Sequence, residues 1–133
     1  MVEWRMPGVV VSARRFGEGD LVVHALTEEL GLHAGLVHGG GAKRNRVDFE
    51  IGNRLDFSWA GRLNEHLGRY RADLIDAPSA SIMHDADRLA GLASLCALID
   101  TALPEREPAP GLCAAFNLWL DQHTSNRLVV IEI

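Results

Sequence analysis

The sequence lacks the long apolar runs and leader patterns that mark membrane and secreted proteins. The uncharged stretch from Leu89 to Ile99 falls well below the roughly 18 apolar residues that a membrane-spanning helix needs. The N-terminal residues MVEWRMPG show neither the basic segment nor the apolar segment of a signal peptide. We therefore expect a cytoplasmic protein.

Disulfide and metal-binding patterns are also missing. The two cysteines, Cys96 and Cys113, fall in helix-like apolar patterns and form no C-x-x-C pair. The six histidines are scattered, and none repeats at i, i+4 on a predicted helix. We predict buried thiols and no metal site.

The sequence lacks the motifs of nucleotide-binding and hydrolytic enzymes as well. The stretch HGGGAKRNR, residues 38 to 46, is glycine-rich, but Arg44 stands where a Walker A loop requires Ser or Thr after Lys43. The pattern predicts a strand, not a helix, after the glycines, which also argues against a G-x-G-x-x-G dinucleotide site. No serine lies in a G-x-S-x-G context. We expect no catalytic residue, no cofactor and no enzymatic activity.

Residues 8 to 77 show instead the period-2 alternation of β-strands, interrupted by turn signals at short intervals. The clearest strand is Gly52–Arg62, in which Leu55, Phe57 and Trp59 alternate with polar residues. The other predicted strands are Gly8–Phe16, Leu21–Thr27, Leu32–Gly40 and Leu67–Ala77. Five such strands are typical of a small closed barrel.

The alternation also predicts which side chains face the barrel core. In the first strand, Val9, Val11 and Ala13 are expected to share one face. In the last strand, Tyr70, Ala72 and Leu74 are expected to lie opposite Arg69, Arg71 and Asp73.

After Pro78 the hydrophobic period becomes helical, from Ile82 to Leu103, and Asp85 is a candidate N-cap. The stretch LPEREPAPG, residues 103 to 111, breaks this helix with three prolines. Pro110 is predicted to begin a second helix. The apolar positions of that second helix are Leu112, Phe116 and Trp119.

The fold class is therefore α+β, a five-stranded barrel followed by helices. We divide the chain into a barrel, residues 1–80, and a helical domain, residues 81–133. The apolar ending LVVIEI is typical of the start of another buried element, so the helical domain is expected to be truncated.

The cations of the chain lie mostly in the predicted barrel, although the formal net charge is -5. Residues 1–80 hold ten of the thirteen Lys and Arg against eleven Asp and Glu, whereas residues 81–133 hold three against seven. Cations grouped on one domain can neutralise DNA phosphates and release counterions. The candidate nucleic-acid-binding residues are Arg14, Arg15, Lys43, Arg44, Arg46, Arg54, Arg69 and Arg71.

An alternative interpretation is that these cations are solubilising charges, paired with Asp48, Glu50, Asp56 and Asp73. The glycine-rich stretch favours DNA slightly, because its cations have no acidic neighbour before Asp48.

The aromatic residues argue for contact with the DNA backbone. Phe57, Trp59 and Tyr70 fall on apolar faces and are expected in the core, which leaves Trp4 and Phe16 as candidates for base stacking. Binding is therefore expected to be nearly indifferent to base sequence.

Four stretches, in collinear order over roughly residues 2 to 120, together resemble the RecO family of bacterial recombination mediators. They are GVVVSARRFGEGDLVVHALTEELGLHAGLVHGGGAKRNR, GNRLDFSW, EHLGRYRADLI and LCALIDTALPEREPAPGLCAAF. The resemblance implies an N-terminal OB-fold barrel followed by a helical domain. Lys43, Arg44 and Arg46 match the family's basic loop between barrel strands, and Arg14 and Arg15 match its basic first-strand end.

The resemblance also implies a non-catalytic DNA repair protein. Such a protein binds single- and double-stranded DNA, anneals complementary strands and, with RecR, loads RecA in the RecF pathway onto DNA coated by single-strand DNA-binding protein. Family members are longer, continue into more helices and sometimes carry a zinc-binding cysteine group, which this sequence does not contain. The alternative function is a protein-interaction module that docks on RecR or another repair subunit, with little DNA binding of its own.

Overall fold

The computed structural model describes residues 1–62 and 67–124. The strands are β1 (Val2–Phe16), β2 (Asp20–Thr27), β3 (Gly31–Val37), β4 (Arg54–Gly61) and β5 (Arg69–Asp76). The helices are α1 (Lys43–Arg46), α2 (Pro78–Ser81), α3 (Ala86–Ala102) and α4 (Pro110–His123), and a 3₁₀ turn covers Val47–Phe49. All five predicted strands and both long predicted helices are present. The C-terminal apolar segment, for which a further buried element was expected, lies outside the described residues.

The five strands close into a barrel in the order β1-β2-β3-β5-β4, which confirms the predicted OB-fold-like α+β architecture. Strands β3 and β5 meet in parallel through one residue pair, and the other neighbours are antiparallel. Side chains of β5 and of its neighbour β4 also donate to the backbone of β3 at this seam. The Tyr70 hydroxyl donates to the His33 carbonyl at 2.8 Å, and Trp59 Nε1 donates to the Ala34 carbonyl at 3.1 Å.

Strand β1 begins at Val2, earlier than the predicted start at Gly8. Its first half pairs with β4 and its second half with β2, so one long strand serves both sides of the barrel. Residues 2–7 alternate between half-buried and exposed, which is the period-2 pattern of a strand with one face on the core.

A β-bulge in β1 changes the face that its side chains present. The register against β2 shifts between Val10 and Ser12. Val10 and Ala13 consequently pack in the barrel core, whereas Val9 and Val11 pack with the helices. The prediction that Val9, Val11 and Ala13 share one face is wrong, because the bulge residue inverts the alternation.

The end of β5 also departs from the predicted alternation. Tyr70 is buried and Ala72 packs on the barrel core, as predicted, but Leu74 is 44% exposed. Leu74 still lies opposite Leu55, but the register between β4 and β5 shifts just beyond this pair, so Leu74 is the last residue of β5 in regular register and lies outside the barrel core.

Both long helices begin where the sequence predicts. The Asp85 carboxylate accepts a hydrogen bond from the backbone N–H of Arg88 at 3.1 Å, which confirms the N-cap of α3. Pro110 is the first residue of α4. No helix among residues 1–62 and 67–124 is long and apolar enough to span a membrane.

The helices and the outer surface of the barrel share a second core. Of the predicted apolar positions in α4, Phe116 is buried, but Leu112 is exposed and Trp119 is half-buried. The main members of this core are Val9, Val11, Leu26, Leu32, Ile82, Leu92, Cys96, Ile99, Cys113, Phe116 and Leu120. The division at residue 80 stays a prediction.

The segment between α3 and α4 packs along the edge of β3. The backbone N–H of Arg106 donates to the Leu32 carbonyl at 2.7 Å, and Glu105 forms a parallel bridge with Leu32. Gly31 has a φ of 69°, and a Cβ there would overlap the carbonyl oxygen of Glu107. The proline-rich break therefore acts as a brace between the helices and the barrel.

Candidate nucleic-acid interface

Two backbone segments bring five cations to one end of the barrel. The segment after β3 contacts the turn between β1 and β2, where the Gly41 N–H donates to the Gly19 carbonyl at 3.0 Å. The Gly39 N–H donates to Asp20 Oδ1 at 2.9 Å. A Cβ on Gly41 would lie 3.0 Å from the Gly19 backbone, so glycine allows this close approach. We call the cations on these segments the basic rim: Arg14, Arg15, Lys43, Arg44 and Arg46.

A helical turn follows the glycines, which corrects the prediction that no helix does so. The backbone N–H groups of Asn45 and Arg46 both donate to the Ala42 carbonyl at 2.9 Å, and Asn45 Nδ2 donates to the Gly39 carbonyl at 3.0 Å. The turn forms because these local bonds fix the chain as it leaves the glycines. It spans only residues 43–46 and leads into the 3₁₀ turn, so the Walker A interpretation still fails.

The side chains of the basic rim are accessible to a ligand. Four of the five are exposed, and Arg46 is half-buried. None of these side chains forms a hydrogen bond or an ion pair with any residue in the described ranges. Asp20 is an acidic neighbour of the glycine-rich segment, although the two are far apart in the sequence. Its carboxylate accepts the Gly39 N–H and also lies 3.4 Å from His38 Nδ1.

Arg69 and Arg71 lie on the outer face of β5 and do not belong to the basic rim. The pairing of β4 with β5 places Arg71 opposite Ser58 and Arg69 opposite Ala60. Both arginines are exposed, and their side chains have no hydrogen-bond or ion-pair partner among residues 1–62 and 67–124. Arg69 also pairs with Leu36, close to the end of β3.

Arg54 joins the barrel to α4. Its Nε donates to Asn117 Oδ1 at 2.9 Å, and its Nη2 donates to the Asn117 carbonyl at 3.0 Å. Its guanidinium also forms ion pairs with Asp121 at 2.7 Å and Asp76 at 3.1 Å. We therefore leave Arg54 out of the proposed DNA contacts. The strand pattern placed it on the outer face of β4 but carried no sign that α4 contacts Arg54 there.

The aromatic side chains lie mainly inside the barrel. Phe57, Trp59 and Tyr70 are buried, as predicted. Trp4, a stacking candidate, is half-buried and stacks on Trp59, with ring centroids 6.3 Å apart. Phe16 is 48% exposed and stays a candidate for base stacking.

Burial shifts the titration of His33 and of both thiols. Burial, helped by the charge of Arg106, lowers the pKa of His33 to about 4. Burial raises the pKa of Cys96 to about 12 and also raises that of Cys113. The thiols are buried and free, as predicted. Within the described residues, no three His, Cys, Asp or Glu side chains are arranged to hold a metal ion.

Two outer-face arginines near Arg71 were missed by the sequence reasoning. Arg5 lies opposite Ser58 in the part of β1 that the prediction omitted, and Arg62 directly follows β4. The alternation of residues 2–7 was a usable signal for Arg5, because it marks that residue as outward-facing.

Comparison with known proteins places these features in a family. The family model described as "Recombination protein O N terminal" matches residues 1–78. The DNA repair protein RecO of Rhodospirillum centenum is 49% identical over 111 residues, which cover 84% of this chain and 44% of the relative. That of Gluconacetobacter diazotrophicus is 46% identical over 109 residues, with coverage of 82% and 43%. That of Ruegeria sp. is 38% identical over 127 residues, with coverage of 96% and 53%. The chain thus spans about half the length of these relatives.

Proposed function

Since this chain belongs to the RecO family of DNA repair proteins, we propose that it is a non-catalytic mediator of DNA repair and recombination that binds single- and double-stranded DNA. The observation that carries this proposal is the basic rim. Its five cations lie on two segments that meet at one end of the barrel, and their side chains have no hydrogen-bond or ion-pair partner within the described part of the chain.

The local charge matters more here than the net charge of -5. A phosphate close to the rim interacts with nearby cations, while carboxylates beyond about 8 Å are screened at physiological salt. Each cation that neutralises a phosphate releases a condensed counterion, which favours binding at low salt. Because phosphates carry no sequence information, such binding does not depend on base sequence.

We propose that the same cations also promote strand annealing. Cations that neutralise two phosphate backbones reduce the repulsion between them and raise their local concentration, while base pairing supplies the sequence selection. No nucleotide is consumed in this process. Family membership supports a cytoplasmic role in which RecR and the protein load RecA onto DNA coated by single-strand DNA-binding protein, within the RecF pathway.

Salt-titrated fluorescence anisotropy with a labelled single-stranded oligonucleotide tests this proposal. Replacing Lys43, Arg44 and Arg46 together by alanine should weaken binding and flatten the slope of log K against log salt by up to about 2, at roughly 0.7 per phosphate contact. Arg44→Ala alone should flatten it by roughly 0.7. Arg88→Ala is the matched control for Arg44→Ala. It also removes one positive charge, but Arg88 lies on α3, outside the basic rim.

An unchanged slope in the triple variant would remove the rim from the DNA contact. No binding by the wild-type chain at low salt would favour the alternative function, a protein-interaction module that docks on RecR or another repair subunit.

A further inference from the structure

A second cationic surface lies where β1, β4 and β5 run side by side. It is an open concavity of about 950 Å³. Four of the side chains that line it are arginines, Arg5, Arg62, Arg69 and Arg71, and among its described lining residues Glu3 is the one carboxylate. No residue of the basic rim lines it. We call this surface the arginine concavity.

Strand register arranges part of the arginine concavity as a row. Arg5 of β1 lies opposite Ser58 of β4, and Ser58 lies opposite Arg71 of β5. Because neighbouring strands are about 4.8 Å apart, two arginines flank one hydroxyl across roughly 10 Å of sheet. Arg69 lies on the same face of β5, two residues before Arg71. The guanidinium donors of Arg5, Arg69 and Arg71 are thus distributed over the sheet surface, which suits an extended anion with several phosphates.

The arginines of this row keep donors unused. Arg5 Nε and Nη2 both approach Asp56 Oδ2 at 2.8 Å, and this hydrogen bond raises the pKa of Arg5. A guanidinium has five N–H donors, so the contact leaves others for a ligand. Arg69 and Arg71 form no side-chain hydrogen bond or ion pair with the rest of the described chain. The planar guanidinium matches phosphate geometry better than an ammonium group does.

Two stacked indoles lie in the barrel core, on strand segments that line the arginine concavity. Trp4 and Trp59 both line it, and their rings are nearly parallel, at 12°. The Nε1–H of Trp4 is buried and has no acceptor among the described residues. This donor lies on the core side of β1, so the donors available to a strand are those of the arginines.

We infer that the arginine concavity is a second DNA site, which binds the sugar-phosphate backbone of one single strand while the basic rim binds another. This inference rests on the proposed function and deepens it. The volume of the arginine concavity is at the upper end of the range of about 300–1,000 Å³ for small-ligand sites. Because the concavity is also open, it accommodates a short stretch of a DNA strand. Two separate sites on one barrel provide what annealing needs, namely two strands held by one molecule.

The inference is tested with the double variant Arg69→Gln and Arg71→Gln. Both side chains are exposed and lack described partners, so the fold should be retained. Wild-type protein should bind two equivalents of a short oligo-dT, and the double variant one. The variant's summed salt slope should fall by about 1.4, at roughly 0.7 per contact, and annealing of complementary oligonucleotides should slow about tenfold. Arg88→Gln is the control and should change none of these readouts.

A fluorescence experiment isolates the concavity from the rim. The chain has three tryptophans, so in a Trp119→Phe background the emission comes from Trp4 and Trp59, which both line the concavity. Oligo-dT should quench this emission even when Lys43, Arg44 and Arg46 are alanine. Adding Arg69→Gln and Arg71→Gln should abolish the quenching.

The outcomes separate the two proposals. Two bound equivalents and wild-type annealing in the double variant would overturn the second site and leave DNA binding at the rim intact. Absence of any DNA binding by the wild-type chain at low salt would overturn both.

Discussion

Replacing Arg54 with methionine is expected to loosen the contact between the barrel and α4. Methionine keeps an unbranched apolar stem and removes the guanidinium, so the packing changes less than the polar network does. The variant loses two hydrogen bonds to Asn117 and two ion pairs, to Asp76 and Asp121.

The expected magnitude follows from how exposed each partner is. A hydrogen bond from a charged donor is worth about 1.5–3 kcal/mol, and Asn117 is half-buried, so its two bonds dominate. The Asp76 and Asp121 side chains are 49% and 61% exposed, so each ion pair contributes below about 1 kcal/mol. Because such contributions are not additive, we expect the free energy of unfolding to fall by about 2–4 kcal/mol in total.

Urea unfolding followed by tryptophan fluorescence measures this change. The melting temperature should fall by about 10 °C in parallel. Arg88→Met is the matched control, because its ion pair with Asp85 is exposed and should matter by less than about 0.5 kcal/mol. The assignment of Arg54 to the contact between the barrel and α4 fails under one outcome. In that outcome Arg54→Met unfolds like the wild type, while its slope of log K for DNA against log salt falls by roughly 0.7.

Two further predictions concern the brace and the seam. In urea unfolding, Gly31→Ala should lower the free energy of unfolding by at least about 2 kcal/mol more than Gly17→Ala does. Both glycines have a positive φ, but of the two only Gly31 would place a Cβ against backbone atoms, those of Glu107. Equal losses of unfolding free energy in the two variants would contradict the packing of the segment between α3 and α4 against Gly31. His33 has a lowered pKa in the fold, so the unfolded chain binds its proton more readily, and stability should fall by up to about 3 kcal/mol as the pH drops from 6.5 toward 4. His33→Gln should remove this part of the pH dependence, and an unaltered profile would contradict it.

The elements of this fold were largely predictable from local patterns. Leu55, Phe57 and Trp59 alternate with polar residues because β4 has one face on the barrel core, and that relation is local. Asp85 and Pro110 mark helix starts because their effects act within one helical turn. The failures occurred where the pattern was interrupted. The bulge after Val10 inverted the alternation of β1, and a bulge leaves no clear mark in a run of three valines.

The candidate site was predictable only in part, for the same reason. The exposure of Arg44 follows from its place in a glycine-rich segment, whereas the role of Arg54 depends on Asn117, 63 residues further along the chain. The alternation of residues 2–7 marks Arg5 as outward-facing, but its place in one row with Ser58 and Arg71 exists only once the barrel closes.

The sequence by itself determined the α+β class, the five strands, the two long helices and the presence of outward-facing cations, because hydrophobic period, turn residues and capping act over a few residues. The tertiary structure decided how those cations are divided. Barrel closure and the packing of α4 assigned them to the basic rim, the arginine concavity and the Arg54 joint. These assignments depend on contacts between residues that are distant in the chain, and no local pattern records such contacts.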